Sequence, residues 1–151
     1  AATRGLEWMR KDMKNATVTV GDDRIGRVAA VTHDQKTKIK VDLTGDVPVF
    51  NIDVTVRSTA LEKQLPDSLL FDEQARIYTA ALQEHLIRGE IEAAVLDAQR
   101  EGHDVMGLSL LMRQRYPDFY KAHEADWSKV IATAGYNIFV HCTIDSTGVE
   151  A

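Results

Sequence analysis

A chain of 151 residues that is 44% hydrophobic and 27% charged carries enough apolar material for one globular core, and intrinsic disorder is not expected of it. Lys and Arg number 18 against 23 Asp and Glu, a formal charge of −5, which is the wrong sign for a chain that neutralises many phosphates; no nucleic-acid partner is expected. No apolar run approaches the ~20 residues of a membrane helix, no basic-then-apolar leader opens the chain, and the fragment is expected to be soluble.

Residues 4–13, RGLEWMRKDM, place Leu6, Met9 and Met13 at helical spacing and predict an opening helix within 1–15. TVTV at 17–20 predicts a strand, GDD at 21–23 a turn, and RIGRVAAVTH at 24–33 a second strand with a bulge at Gly26. Ile39, Val41 and Leu43 then alternate with Lys38, Lys40 and Asp42, and Phe50, Ile52, Val54 and Val56 alternate with Asn51, Asp53, Thr55 and Arg57. Period two means strands with one buried face, filling 17–58. The TGDVP link at 44–48 is short enough to make this pair an antiparallel hairpin.

A helical block follows over 67–134. Asp67, Ser68 and Asp72 are candidate N-caps of a long helix with Phe71, Ala75, Tyr78, Leu82, Leu86, Ala93 and Leu96 on one stripe. Ile87, Ile91, Ala94 and Ala98 make a second stripe, which leaves Thr79, Gln83, Glu90, Asp97 and Glu101 as the solvated strip. Gly102 suits a left-handed C-cap. Asp104 then caps a helix carrying Val105, Leu108, Leu111 and Met112, and Pro117 opens another, where its missing amide hydrogen costs nothing. Phe119, Tyr120 and Trp127 supply apolar area to fold these short helices against the long one. Ile138, Val140, Cys142 and Ile144 finally alternate with Phe139, His141, Thr143 and Asp145, predicting a closing strand over 136–146. The expected fold is therefore α+β: an antiparallel sheet of about five strands, with one long helix and several short ones packed on one face, in a single domain 1–151.

Chemistry is sparse. The histidines at 33, 85, 103, 123 and 141 are scattered and form no HExxH pattern, so no metal or cofactor is implied. GLSLL at 107–111 lacks the second glycine of a nucleophile elbow, which makes Ser109 a helix residue. Asp22 and Asp23 belong to a polar turn rather than to a calcium loop. Lys36, Lys38 and Lys40 suit the protection of an edge strand. Cys142 is the only cysteine, which excludes an internal disulfide, and AATRG at the start, without a methionine, is what a fragment of a longer protein would show.

The stretch DVMGLSLLMRQRYPDFYKAHEADWSKVIATAGYNIFVHCTIDSTG at 104–148 resembles the C-terminal domain of the Ger(x)C family of spore-germination lipoproteins. In that family an Asp and a Gly-containing turn open a helix, an Arg-x-Tyr-Pro step follows, then an aromatic, a Trp, and a closing strand ending in Thr-Gly. Asp104, Gly107, Arg115, Tyr116, Pro117, Phe119, Trp127, Thr147 and Gly148 match these positions, and the opening TRGLEWM and the strands-then-long-helix order are also similar. The resemblance implies a non-enzymatic C subunit of a nutrient germinant receptor, held by an upstream lipidated cysteine at the outer face of the spore inner membrane. Its partners would be two integral-membrane receptor subunits, and other spore inner-membrane components are further candidates. Asp104, Gly107, Tyr116, Pro117, Trp127 and Gly148 are expected to be structural. The leading expectation is an interaction module; the alternative is a nutrient binder with a pocket between helix and sheet. An enzyme ranks last, because no convergent polar set can be named.

Overall fold

Four strands and five helices arise from these runs in a computed structural model, which describes residues 2–10, 13, 15–64, 72–104 and 107–145. Their order is α1 (Ala2–Met9), β1 (Thr17–Asp22), β2 (Gly26–Asp42), β3 (Val49–Gln64), α2 (Glu73–Glu101), α3 (Leu108–Arg115), α4 (Pro117–His123), a 3₁₀ turn (Glu124–Asp126), α5 (Trp127–Thr133) and β4 (Gly135–Asp145). The α+β class is as expected. The sheet differs in two ways: it has four strands rather than five, and it is mixed rather than antiparallel, in the order β1-β2-β3-β4.

The count differs because the segments expected at 24–33 and 38–43 merge into one 17-residue strand, Gly26–Asp42. The apolar alternation lapses at His33, Asp34, Gln35 and Lys36, but the backbone runs through with a register shift between Thr32 and Asp34, and a second lies between Ala29 and Ala30. Such shifts insert an unpaired residue and bend a strand. Gly26 is no bulge: at φ 76 it closes the β1–β2 turn, where Asp22 Oδ1 accepts the amides of Arg24 and Ile25 at 3.0 and 2.9 Å. The pairing differs because β4 runs parallel to β3, from Val49 opposite Gly135 to Thr59 opposite Asp145. Parallel neighbours need a long crossover, and the entire helical block serves as one.

Even-numbered residues of β3 from Phe50 to Ala60 are buried under the helices, while Asp53, Thr55 and Arg57 face outward to solvent. The centre of the core joins Trp8 and Met9 of α1 to Ile52, Val54 and Val56 of β3 and to Ile87, Ile91 and Val95 of α2. A second cluster holds Ile25, Val28, Ala60, Ala75 and Ile144, and a third puts Phe50 against Leu108, Met112, Ile131 and Ala134.

Helix α2 overturns the expected faces. Asp72 is its N-cap, accepting Ala75 N at 2.9 Å, whereas Asp67, Ser68 and Phe71 lie outside the described residues. Gly102 ends it in the left-handed region at φ 68, as expected. Yet Thr79, Gln83 and Glu90 are buried, while Leu86 and Leu96 are exposed. The cause is polar pairing inside the core: Thr79 Oγ1 donates to Ala75 O at 2.7 Å, Gln83 Nε2 donates to Ser58 Oγ at 3.3 Å, and Glu90 accepts from Trp8 Nε1 at 2.9 Å. A buried polar group is tolerated when it is bonded. Asp97 and Glu101 stay exposed, as expected.

The opening helix is also shorter than its pattern. It stops at Met9 because the Trp8 carbonyl is taken by β2, accepting from Gln35 Nε2 at 2.6 Å and Thr37 Oγ1 at 2.8 Å.

Candidate functional site

Two places concentrate the features singled out above: the corner formed by α3, α4 and α5, and the seam between α2 and β4.

In the corner, Asp104 reaches forward to the exposed amides at the start of α3, accepting Leu108 N at 2.7 Å and Ser109 N at 2.8 Å. Gly107 is the N-cap residue at φ 73, a conformation costly for any side chain with a Cβ. Val105 lies outside the described residues. Tyr116, at φ −138 and ψ 66, joins α3 to α4 and gives its amide to Met112 O at 2.7 Å. Pro117 starts α4, and its fixed φ suits that first turn. The helix expected beyond it is interrupted by the 3₁₀ turn, and Trp127 opens α5. The indole packs beside the Phe50 and Leu108 cluster and meets Tyr120 edge-on at 5.1 Å. Arg113 lies over the Tyr120 ring at 5.2 Å. Asp104, Gly107, Tyr116, Pro117 and Trp127 thus occupy successive helix boundaries and do not converge on a common point. Thr147 and Gly148 lie outside the described residues.

At the seam, β4 is an edge strand with α2 along its free side. Glu84 Oε2 accepts the Cys142 amide at 2.9 Å, and Gln99 Nε2 donates to Ala134 O at 3.1 Å. Along this side runs a groove of three contiguous clefts, about 380, 320 and 440 Å³, the first two between the ties and the third beyond the Glu84 to Cys142 bond. Arg88, Ile138 and Phe139 are shared by the first two clefts, Ala81 and Glu84 by the last two. Leu96 is 55% exposed there and Ile77 is exposed at the far end, while Phe139, 50% exposed, stands on the open face of the sheet beside Asp53. Arg88 Nε is held by Glu92 Oε1 at 2.9 Å, and the Glu84 carboxylate lines the middle cleft as well, so the middle of the groove carries no unpaired guanidinium.

Burial, with the Glu84 carboxylate adding to it, pushes the Cys142 thiol up to about 12. The Tyr136 hydroxyl, buried under the corner and facing the charge of Asp104, is likewise pushed up to about 12. Neither group is poised to transfer a proton near neutrality.

The histidines stay dispersed. His33, His103, His123 and His141 each approach one carboxylate, at 3.7, 3.3, 3.7 and 3.9 Å, and no group of three or more metal-ligating side chains occurs among the described residues. No described helix is long and apolar enough to cross a membrane. A pocket between helix and sheet is the alternative expectation, but nothing in the sequence places it along α2 and β4; Leu96 falls on an apolar stripe of the pattern, and its exposure depends on how α2 and β4 meet.

The fold is similar to that of a solved protein, described as the crystal structure of the GerBC protein. The likeness has a TM-score of 0.82 at 19% sequence identity and covers 95% of this chain and 44% of that one. At that identity the likeness is one of fold, and this chain spans less than half of that protein's length. The chain belongs to the family described as spore germination B3/GerAC like, C-terminal, whose model matches residues 1–148. No curated protein matches the chain in sequence.

Proposed function

We propose that this chain is a non-enzymatic docking module of a germinant receptor C subunit, acting in spore germination by assembling with the two integral-membrane subunits. The observation that carries this reading is the family match across residues 1–148. In the same reading 1–151 is the single C-terminal domain of a longer lipoprotein, tethered by an upstream lipid at the outer face of the spore inner membrane. Asp104, Gly107, Tyr116, Pro117, Trp127 and Gly148 then serve the fold rather than a reaction.

The test is release of dipicolinic acid from spores whose C subunit lacks only this region, with the anchor and the companion subunits at normal levels. Loss of the nutrient response is expected. An unchanged response would overturn the reading.

A second reading, a nutrient-binding pocket between helix and sheet, is favoured by the volume of the α2–β4 clefts, the first being about 380 Å³, a size that suits a small ligand. A ligand that binds only the folded state must raise the unfolding midpoint. A thermal-shift screen against amino acids and sugars therefore separates the two readings.

A further inference from the structure

The phase of β4 is fixed by three bonds. Cys142 N points to Glu84 on α2, Ala134 O is met by Gln99 on α2, and Gly135 N points the other way, to Pro48 O. In a strand the N–H and C=O of one residue point to the same side and alternate along the chain. Even-numbered residues of β4 therefore direct their backbone groups into the groove, and odd-numbered ones direct theirs to β3. Between the two ties, Tyr136, Ile138 and Val140 keep both groups unpaired among the described residues.

The geometry points to β4 as the acceptor of an added strand: a partner polypeptide lies extended in the α2–β4 groove and pairs its backbone with Tyr136, Ile138 and Val140. This deepens the docking reading above and rests on it.

Complementarity of partial charge selects the occupant. The edge offers donors and acceptors in alternation at strand spacing, which an extended backbone matches and which a lipid chain would leave desolvated and unbonded. An anion finds no unpaired guanidinium mid-groove, because Arg88 is paired with Glu92 and the Glu84 carboxylate lies in the same cleft. A second β4 cannot enter edge to edge without its own α2 entering as well. Size agrees: between the ties the free edge from Tyr136 to Val140 is five residues long, about 16 Å, which a guest of about five extended residues fills. On the helix face, alternate apolar side chains of the guest would meet Leu96 at one end and Ala81 at the other, and the intervening ones would lie on the open face beside Phe139.

The other free edge of the same sheet supports this by contrast. β2 has no β1 partner beyond Val31, and that stretch carries Lys36, Lys38 and Lys40, the charges that keep edges from pairing. β4, GYNIFVHCTID, has neither Lys nor Pro; its edge is left open.

The test uses this chain as it stands and a phage-displayed library of random dodecapeptides. Enriched peptides should show alternating apolar residues and should lose at least tenfold in affinity for Val140→Pro, which deletes one groove-facing amide and leaves the β3 ladder intact. Leu96→Asp, on an exposed position, should weaken them similarly and stands in if the proline variant unfolds. Methylating alternate peptide nitrogens should abolish binding in one phase and spare it in the other. No enrichment, equal affinity for both variants, or indifference to methylation would overturn the inference. Dimerisation of the chain that Val140→Pro abolishes would also overturn it, by giving the groove to a second copy. In spores, normal germination of Val140→Pro where deletion of the whole region abolishes it would sink the groove and spare the docking reading. Normal germination after deletion would sink that reading itself.

Discussion

Glu90 ties α2 to α1 at three points. Its Oε1 accepts Trp8 Nε1 at 2.9 Å, its Oε2 lies 3.0 Å from Arg4 Nε, and its backbone oxygen lies against Gly5. A Cβ on Gly5 would fall 2.1 Å from that oxygen and 2.8 Å from the Ala94 methyl. The helices cannot part without breaking the Trp8 bond, so Gly5→Ala should cost about 1–3 kcal/mol, read as a lower urea midpoint. No loss would mean that α1 shifts freely. Helical spacing marked Leu6, Met9 and Met13, but neither Trp8 nor Glu90, because a partner 82 residues away in sequence leaves no periodic trace. Cys142 gives a second residue-scale outcome. Its thiol ionises near 9.0 when unperturbed and is pushed up to about 12 in the fold, so the folded state holds its proton longer. The neutral thiol is tolerated at every pH below the unfolded value, and stability falls as pH rises between the two. Denaturant midpoints at about pH 8 and about pH 10.5 should drop less for Cys142→Ala than for the native chain, with Tyr136 contributing to the loss that remains. Equal drops would remove Cys142 from the alkaline response.

Elements were legible where one local rule decided them. The caps at Asp72 and Gly102, the Asp104 contact and the Pro117 start all follow from short-range chemistry. Asp104→Ala, which frees two amides at the start of α3, should cost about 1–2 kcal/mol. Pro117→Ala should cost only about 0.4–1 kcal/mol, through the unfolded chain. Urea unfolding of both variants ranks them, and a reversed order would refute the placement. What could not be read was set by distant partners. Thr79, Gln83 and Glu90 are polar, so a pattern counts them as solvated, yet Ser58 and Trp8 draw two of them inward. His33 to Lys36 look like a break between strands, yet a bulge carries β2 through. Alternation marked β4, but the direction of its pairing is not written in alternation. That direction has an observable signature. Amide exchange along β4 should be slow at Phe139 and His141, which face the β3 ladder, and fast at Ile138 and Val140. Uniform protection would show that something already covers the edge.

At the scale of the whole molecule, the helices cover one face of the sheet and leave the other to Lys38, Asp53, Thr55 and His141. The α+β class and the family followed from the order of elements and from the corner at 104–127; a pocket between helix and sheet is expected, but not its place along α2 and β4, because it exists only where two segments distant in sequence meet. The parallel return of β4 also orders events in time. Asn51 and Asn137 bond at 2.9 Å across 86 residues of chain, and closing so long a loop costs about 4 kcal/mol of entropy before any contact repays it. The β1–β2 and β2–β3 hairpins need no such closure and can form first. During synthesis three strands and the long helix emerge while the β3 edge still has no neighbour, and that edge is buried only when the last part of the fold arrives. A nascent chain is therefore open to the wrong strand along β3 until its own β4 takes the place.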